Sequence, residues 1–390
     1  MIYKKFKNIN YPKLYKDFFG SYPKNWLIGH VLKVRTGYSA NEFIRKKSAS
    51  GGILTQTLIY LLENDYVDAV ILACQGVPSP EKASPVIAET IDDIYKCMGS
   101  IYIPVNMLEI LGKLSPKKRY AITCLPHESA ILRKMQVDKS LSAMQIKYIL
   151  GPYTGTALYP SAISCYLASK KVHKSDKIVD LQWRAGEWPG YLEIKMSSGK
   201  IIKTPKIYYN FLIPFFITKN SLESMDFANE FADISVGDAW SPEFESLGGG
   251  HSVVVTRTQK MEEIISKMIR ENLIYLNDED LLKASDMHGH MLDFKKRGGW
   301  LRNQFKRKLG INAPDYGYKP KNIPLSRIFV EIIISSVFFV GKFKFVRWII
   351  SIIPESIIGP LFNFLRLKWK KISRPTKRKG LSNFEVEIFK

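Results

Sequence analysis

The spacing of apolar residues changes character twice along the chain. Ser48–Gly52 is a run of small residues, followed by Ile53, Leu54, Leu58, Leu61 and Leu62 at helical spacing. Val67–Cys74, Tyr120–Cys124 and Ile146–Leu150 are short apolar runs of the kind that form buried strands. Val105–Leu114 and Glu128–Met135 lie between them and read as helices. Strands alternating with helices predict an α/β layered sheet with flanking helices. Past residue 178 the period shortens. Ile178–Arg184, Tyr191–Met196 and Lys200–Lys203, with a turn at Ser197–Gly199, predict an antiparallel section in the second half, giving a mixed α+β character. Ala232–Val236 and Ser252–Thr256 are two more strand-like runs around the Gly248–Gly250 loop, and Lys260–Glu271 is an amphipathic helix.

These changes divide the chain into four segments. Residues 1–45 read as an irregular basic leader ending in a strand such as Gly29–Val34. Residues 46–177 form the α/β portion and 178–313 the mixed portion. Residues 314–390 form a basic, aromatic, helical tail.

Composition refines this picture. The 390 residues are 46% apolar and 24% charged, a globular balance with enough apolar surface for a sizeable core. Lys and Arg number 58 against 36 Asp and Glu, for a net charge of +22. From Lys319 to Lys390 there are 15 Lys and Arg against four Asp and Glu, so half of the excess sits in the tail. The four cysteines, Cys74, Cys97, Cys124 and Cys165, lie far apart in sequence, which excludes a CxxC cluster and a disulfide framework. The first residues, MIYKKFKNINYPKLYKDFFG, contain no continuous apolar stretch of the signal-peptide type, and a cytoplasmic location is expected.

No GxSxG, HExxH, Walker A or GxGxxG pattern occurs, so hydrolase and NTPase readings have no support. Other motifs carry chemistry. SASGGILT at 48–55 can cradle a phosphate at a helix start, or serve only as a tight turn. GSIY at 99–102 is a second small-residue turn. In ADISVGDAW, Asp238 can accept from a ribityl, ribose or amine group while Trp240 stacks on a ring; a turn cap and a core indole are the plain alternatives. In WRAGEWPG, Arg184 offers a planar fork and Trp188 an indole to a substrate, or Arg184 pairs with Glu187 in a packed strand end. His288 and His290 in MHGH are read as solvated loop histidines, and Cys124 as a buried, inert thiol.

The order RKKSASGG, GSIY, CLPHESAILRK, WRAGEWPG and ADISVGDAW over about residues 28–270 resembles the beta-subunit family of coenzyme F420 hydrogenases and dehydrogenases. The resemblance implies an oxidoreductase-type flavoprotein holding FAD beside an iron–sulfur cluster, exchanging electrons with a deazaflavin or tetrapyrrole. It assigns Ser48, Ser50, Gly51, Gly52, Thr55, Gly99, Ser100, Tyr102, Asp238 and Trp240 to one cofactor pocket, with Arg184 and Trp188 as substrate candidates. Ile101 stands where relatives often carry Lys, which removes one phosphate contact.

The family's four cluster cysteines correspond here to His127, Thr154, Ser221 and Ser224. Clusters require thiolates, and neutral hydroxyls do not replace them. No iron–sulfur cluster and no metal are therefore expected. FAD-dependent reduction without a cluster is one expectation. The other is a non-redox accessory protein of surface-polysaccharide biosynthesis, acting on sugars or sugar carriers at the membrane.

The tail favours a membrane setting. Leu325–Val340 and Trp348–Leu365 are apolar but interrupted by Glu331, Pro354, Glu355 and Pro360, too broken for a clean span. Flanking Lys342, Lys344, Arg347, Arg366, Lys368, Lys370 and Lys371 fit an anionic membrane surface, with the protein peripheral on the inner face. The same charge without the apolar runs would suit nucleic acid; with them, no nucleic-acid partner is expected.

Overall fold

The computed structural model describes residues 9–389; the first eight residues of the expected leader lie outside them. Thirteen strands are present among the described residues. β1 is Lys33–Ser39, β2 Ala69–Gln75, β3 Ala83–Ala88, β4 Tyr120–Thr123, β5 Ile146–Pro152, β6 Ile178–Ala185 and β7 Tyr191–Met196. β8 is Ile201–Pro205, β9 Ile234–Asp238, β10 Ser252–Thr256, β11 Ile274–Asp278, β12 Tyr318–Pro320 and β13 Val386–Ile388.

Eight of them form one sheet in the order β11-β1-β10-β9-β5-β4-β2-β3. β2, β4, β5 and β9 are parallel neighbours, and the strands outside them run antiparallel. Helices cover both faces of the parallel strands, which is why VDAVILAC and YAITC are continuous apolar runs rather than alternating ones. The sheet draws strands from both sides of residue 178. β6, β7 and β8 make a separate antiparallel sheet, packed through Leu181, Trp183, Leu192 and Ile194 on Tyr166 and Phe211. The layered α/β architecture with an antiparallel section and a helical C-terminus is the one expected from the sequence.

The leader departs from expectation. Tyr11–Phe19 is a helix, capped by the Asn10 side chain accepting from the Lys13 N–H and closed by left-handed Gly20. Its buried Tyr11, Leu14 and Tyr15 recur at helical spacing, with lysines on the other side. The first strand is Lys33–Ser39, not Gly29–Val34, because Gly29 has φ +90° in a turn closed by its N–H on the Asn25 carbonyl. Residues 107–113 form a 3₁₀ turn where a longer helix was expected. β3 was hidden by Pro85, which an edge strand tolerates.

The tail is also not a separate unit. Its helices, Leu325–Gly341, Lys344–Ile352 and Glu355–Arg378, break at Pro354 and return the chain so that β13 pairs with β12. Ile350 and Ile358 join the core that contains Trp183. Arg327 and Glu331 face the helix Gly289–Lys308: Arg327 Nε lies 2.8 Å from Asp293, and Glu331 accepts from Arg302 at 2.7 Å, with the Arg327, Asp293 and Glu331 side chains fully buried. At Gly341 an added Cβ would overlap the Pro214 carbonyl, so only glycine allows this helix to approach that segment.

Candidate functional site

A cavity of about 470 Å³ opens at the carboxyl ends of the four parallel strands. Its wall includes Ala73 from β2, Thr123 from β4, Pro152 from β5 and Gly237 with Asp238 from β9. The carboxyl edge of a parallel sheet is where α/β folds bind ligands, because the strand-to-helix loops diverge there and helix N-termini point inward. The volume lies in the range of small-molecule sites.

The three expected loops meet at this cavity. Ser48, Ser50, Gly52 and Thr55 line one side, Gly99, Ser100 and Tyr102 another, and Asp238 with Trp240 a third. The helix Ile53–Glu63 starts after left-handed Gly52 without a side-chain cap, leaving its first N–H groups toward the loop. Gly237 is glycine because a Cβ would overlap the Tyr153 ring.

Arg184, delivered by the end of β6, ties the three loops together. Its guanidinium donates to the Ala49 carbonyl at 2.7 Å, to the Tyr102 hydroxyl at 3.3 Å and to Asp238 Oδ2 at 3.3 Å. Burial pulls this guanidinium down, but Asp238 and Tyr102 outweigh it and hold it above its usual value. Lys206 stands 4.0 Å from the same Asp238 oxygen and 4.9 Å over the Trp240 ring. The expected Arg184–Glu187 pair is absent among the described residues; β6 turns its arginine toward Asp238 instead.

Two candidates sit differently from expectation. Gly51 is buried but does not line the cavity. Its N–H donates to Ser252 Oγ at 2.9 Å, its carbonyl accepts from Ser39, and its missing side chain makes room for the backbone of β1. Trp188 lies behind Trp240, the ring centroids 4.8 Å apart, and does not line the cavity either. Asp233, the other acid of ADISVGDAW, is a core group: it pairs with Arg133 at 2.7 Å and accepts from the Ile149 N–H.

The sequence missed Tyr153, Lys206, Asn210, His288 and Met291, all of which line the cavity. His288 is not a solvated loop residue. It is 5% exposed at the start of the helix Gly289–Lys308, and burial pulls its imidazole down to about 4, against the opposing effect of its hydrogen bond to the Asp238 backbone. It is neutral at pH 7. His290 is exposed at the cavity edge. Burial pushes the Tyr153 phenol up to about 12. Cys97 also lines the cavity and its thiol interacts with that of Cys74, a proximity between residues 23 positions apart that their spacing did not signal. Cys124 is buried, as expected.

Two implied groups can be tested against these residues. Arg184 Nε, the Tyr153 hydroxyl and His288 Nε2 are buried polar atoms without a protein partner, all on residues that line the cavity. Unpaired buried polar groups are costly, so this wall fits a polar ligand such as FAD. The cluster position does not fit. Ser221 Oγ accepts from the Ala157 N–H and the Thr218 hydroxyl, both at 2.8 Å, and Ser224 Oγ donates to the Asp226 carbonyl. Thr154 donates to the Pro152 carbonyl. These are engaged neutral hydroxyls, and the buried Lys295 ammonium donates to the Ser221 carbonyl at 2.7 Å. Neutral hydroxyls already committed to backbone and side-chain partners are poor ligands for iron.

Lys295 makes a prediction of its own. Burial and then Arg302 pull its ammonium down to about 7, with Asp226 opposing. An unfolded lysine titrates near 10.4. Between about pH 7 and 10.4 the unfolded chain binds the extra proton, so this residue's penalty is full below pH 7 and disappears as pH rises through 10.4. Lys295→Met is expected to raise the melting temperature at pH 7 and to flatten this part of the rise toward pH 10. Paired thermal melts across that range check it; a lower melting temperature for the variant at pH 7 would show that the bond to Ser221 outweighs the buried charge.

The family model "Coenzyme F420 hydrogenase/dehydrogenase, beta subunit N-term" matches residues 34–112, and its counterpart for the carboxyl-terminal part of the same beta subunits matches residues 117–281. Coenzyme F420 hydrogenase subunit beta of Methanosarcina barkeri is 21% identical over 253 residues, 63% of this chain and 81% of that protein. The subunit from Methanococcus voltae is 23% identical over 298 residues, 73% of this chain and 99% of that protein. Coenzyme F420-dependent sulfite reductase of Methanocaldococcus jannaschii is 23% identical over 287 residues, 69% of this chain and 43% of that protein. A chain of the F420-reducing [NiFe] hydrogenase complex of Methanosarcina barkeri shares the fold, with a TM-score of 0.57 and 20% identity over 75% of this chain and 97% of that one. Two consecutive family models, over residues 34–112 and 117–281, cover the main sheet and most of the cavity wall and place this chain in the coenzyme F420 hydrogenase/dehydrogenase beta subunit family.

Proposed function

We propose that the chain is a flavin-dependent oxidoreductase that holds FAD in the cavity and works without an iron–sulfur cluster. The observation that carries this reading is Arg184, which joins the 48–52, 99–102 and 237–240 loops around one cavity with unpaired polar atoms in its wall. FAD, when bound, supplies hydride and single-electron chemistry that the side chains lack. The N–H groups at the start of the helix Ile53–Glu63 and the hydroxyls of Ser48 and Ser50 suit its phosphates. Asp238 suits a sugar hydroxyl and Trp240 a ring. Neutral His288 lines the cavity with its Nε2 buried and unpaired, a position to hold a proton where a bound ligand reaches it. The relatives named for coenzyme F420 suggest a deazaflavin as the exchange partner, or another small reducible molecule.

Reconstitution tests this. The purified chain is expected to retain FAD with its visible absorption band. Anaerobic preparations are expected to contain neither iron nor sulfide; about four irons per chain, the content of a cubane cluster, would refute the cluster-free reading. Protein that stays colourless after incubation with FAD would sink the redox reading. That outcome would favour a non-redox accessory role in surface-polysaccharide biosynthesis, which one observation supports: Trp240, backed by Trp188 and lining the cavity with Arg184 and Lys206, can pack on a sugar ring beside cations suited to an anionic carrier group.

A further inference from the structure

The helix Leu325–Gly341 is amphipathic in the inverted sense. Its charged residues, Arg327 and Glu331, are 0% exposed and paired inside the protein. Its outward face is apolar: Leu325 is 83% exposed, Phe329 64%, Ile332 47% and Phe339 62%, at positions i, i+4, i+7 and i+14. The next two helices repeat the pattern. Lys344–Ile352 turns Phe345, Trp348 and Ile352 outward, and Glu355–Arg378 turns Ile357, Leu361, Phe364 and Ile372 outward. Soluble chains rarely leave so many large apolar side chains contiguous on neighbouring elements.

Charge on the same helices identifies what covers them. Lys342, Lys344, Lys368, Lys370, Lys371 and Arg374 form no ion pair among the described residues. Lys370, Lys371, Arg374 and Arg378, with Leu367 and Pro375, line a groove of about 550 Å³ on the last helix. Burial lowers the Lys370 ammonium, and Arg366, Arg374 and Arg378 lower it further against a smaller opposing pull from Glu245, the mark of a cluster in which cations predominate. No single helix among the described residues is long and apolar enough to cross a membrane, and the last two meet at a bend of 116°. A bent, apolar-faced, cation-edged helix pair lies along an interface.

We propose that these three helices form a monotopic docking surface for a bilayer containing anionic phospholipid, with Phe329, Phe345, Trp348 and Phe364 entering the acyl boundary and phospholipid headgroups seated in the Lys370–Arg378 groove. The proposal stands independently of what fills the cavity. A second copy of the chain is the wrong occupant, because a two-fold contact would set the cation cluster against itself. An acidic polymer would leave the apolar faces uncovered.

Flotation of the full chain with vesicles of phosphatidylcholine alone, or mixed with phosphatidylglycerol, tests it. The mixed vesicles are expected to carry the protein, and the neutral ones at least tenfold less. K370Q/K371Q/R374Q is expected to lose at least tenfold in binding to mixed vesicles, and F329S/F345S/W348S to lose binding altogether. All six positions are on the surface, and unchanged melting temperatures confirm folding. Trp fluorescence shifts to the blue on docking in the parent and not in W348S. Protein left in the soluble fraction with both vesicles overturns the proposal, as does equal flotation by parent and K370Q/K371Q/R374Q. Light scattering that shows a dimer lost in F329S/F345S/W348S, without flotation, assigns the face to a second copy and also overturns it.

Discussion

Arg327→Ala is expected to destabilise the protein by about 3–5 kcal/mol, the cost of removing one partner from a buried ion-pair network. Arg327 bridges two fully buried carboxylates, Asp293 at 2.8 Å and Glu331 at 3.0 Å. Without it each acid keeps one arginine: Asp293 keeps Arg297, and Glu331 keeps Arg302. Neither remaining pair compensates the second lone-pair set, and both carboxylates are sealed from solvent. The same change releases the inverted helix from Gly289–Lys308, so the loss extends to the three C-terminal helices. Urea unfolding is expected to show a lower midpoint at unchanged slope. A double-mutant cycle with Glu331→Gln is expected to give a coupling of about 1–3 kcal/mol. Additive effects would show that Arg327 acts through packing of its chain rather than through the ion pairs.

Arg184→Ala is expected to weaken FAD binding at least tenfold and to lower stability by about 2–5 kcal/mol, because truncating one partner strands the other. Asp238 would retain only Lys206 at 4.0 Å, while the Ala49 carbonyl and the Tyr102 hydroxyl would each lose a donor. The 48–52 loop loses the Ala49 bond to β6 and the 99–102 loop keeps the Tyr102–Trp183 ring contact, so the spacing between the two loops relaxes. Arg184→Lys restores the charge but not the fork, and an ammonium on a single axis cannot reach three acceptors in three directions. It is expected to recover stability more than flavin affinity. Titration with FAD followed by flavin fluorescence, set beside thermal melts, separates the two; full recovery of affinity by lysine would show that charge alone matters.

Much of the sheet was legible. VDAVILAC, YAITC and the Ala232–Val236 run that opens ADISVGDAW are short stretches whose only stable place is a sheet covered on both faces. The helix Gln259–Arg270 was equally plain, because Met261, Ile264, Ile265 and Met268 recur at helical spacing among charges. The leader helix was missed because its apolar face is made of tyrosines interleaved with lysines. β3 was missed because proline hides an edge strand. β11 was missed because its burial pattern is mostly exposed, so no apolar run announces it.

The cavity was half legible. Small-residue loops and the Asp–Ala–Trp end of β9 could be singled out because glycine and acid–indole combinations have few roles. Gly51 and Trp188 look identical in sequence to ligand-binding residues, yet one accommodates a neighbouring strand and the other supports Trp240 from behind. His288 carries no local signal, since its burial depends on a helix arriving beneath Phe227 and Tyr153.

Most of the strands and helices, the excess positive charge of the tail, and the loss of thiolate donors at His127, Thr154, Ser221 and Ser224 were already written in the order of residues. These follow from local periodicity, charge count and donor chemistry, which need no neighbours. That the tail packs on Gly289–Lys308 with its charges inward and its apolar residues outward emerged only from the folded chain. A helix's two faces are visible in sequence, but which face is turned inward depends on its partner, and Asp293, Arg297 and Arg302 supply a polar partner here. Arg184 as the tie between three loops was likewise decided there, because its acceptors lie 54 to 135 positions away and meet only when β6 ends beside the carboxyl edge of the main sheet.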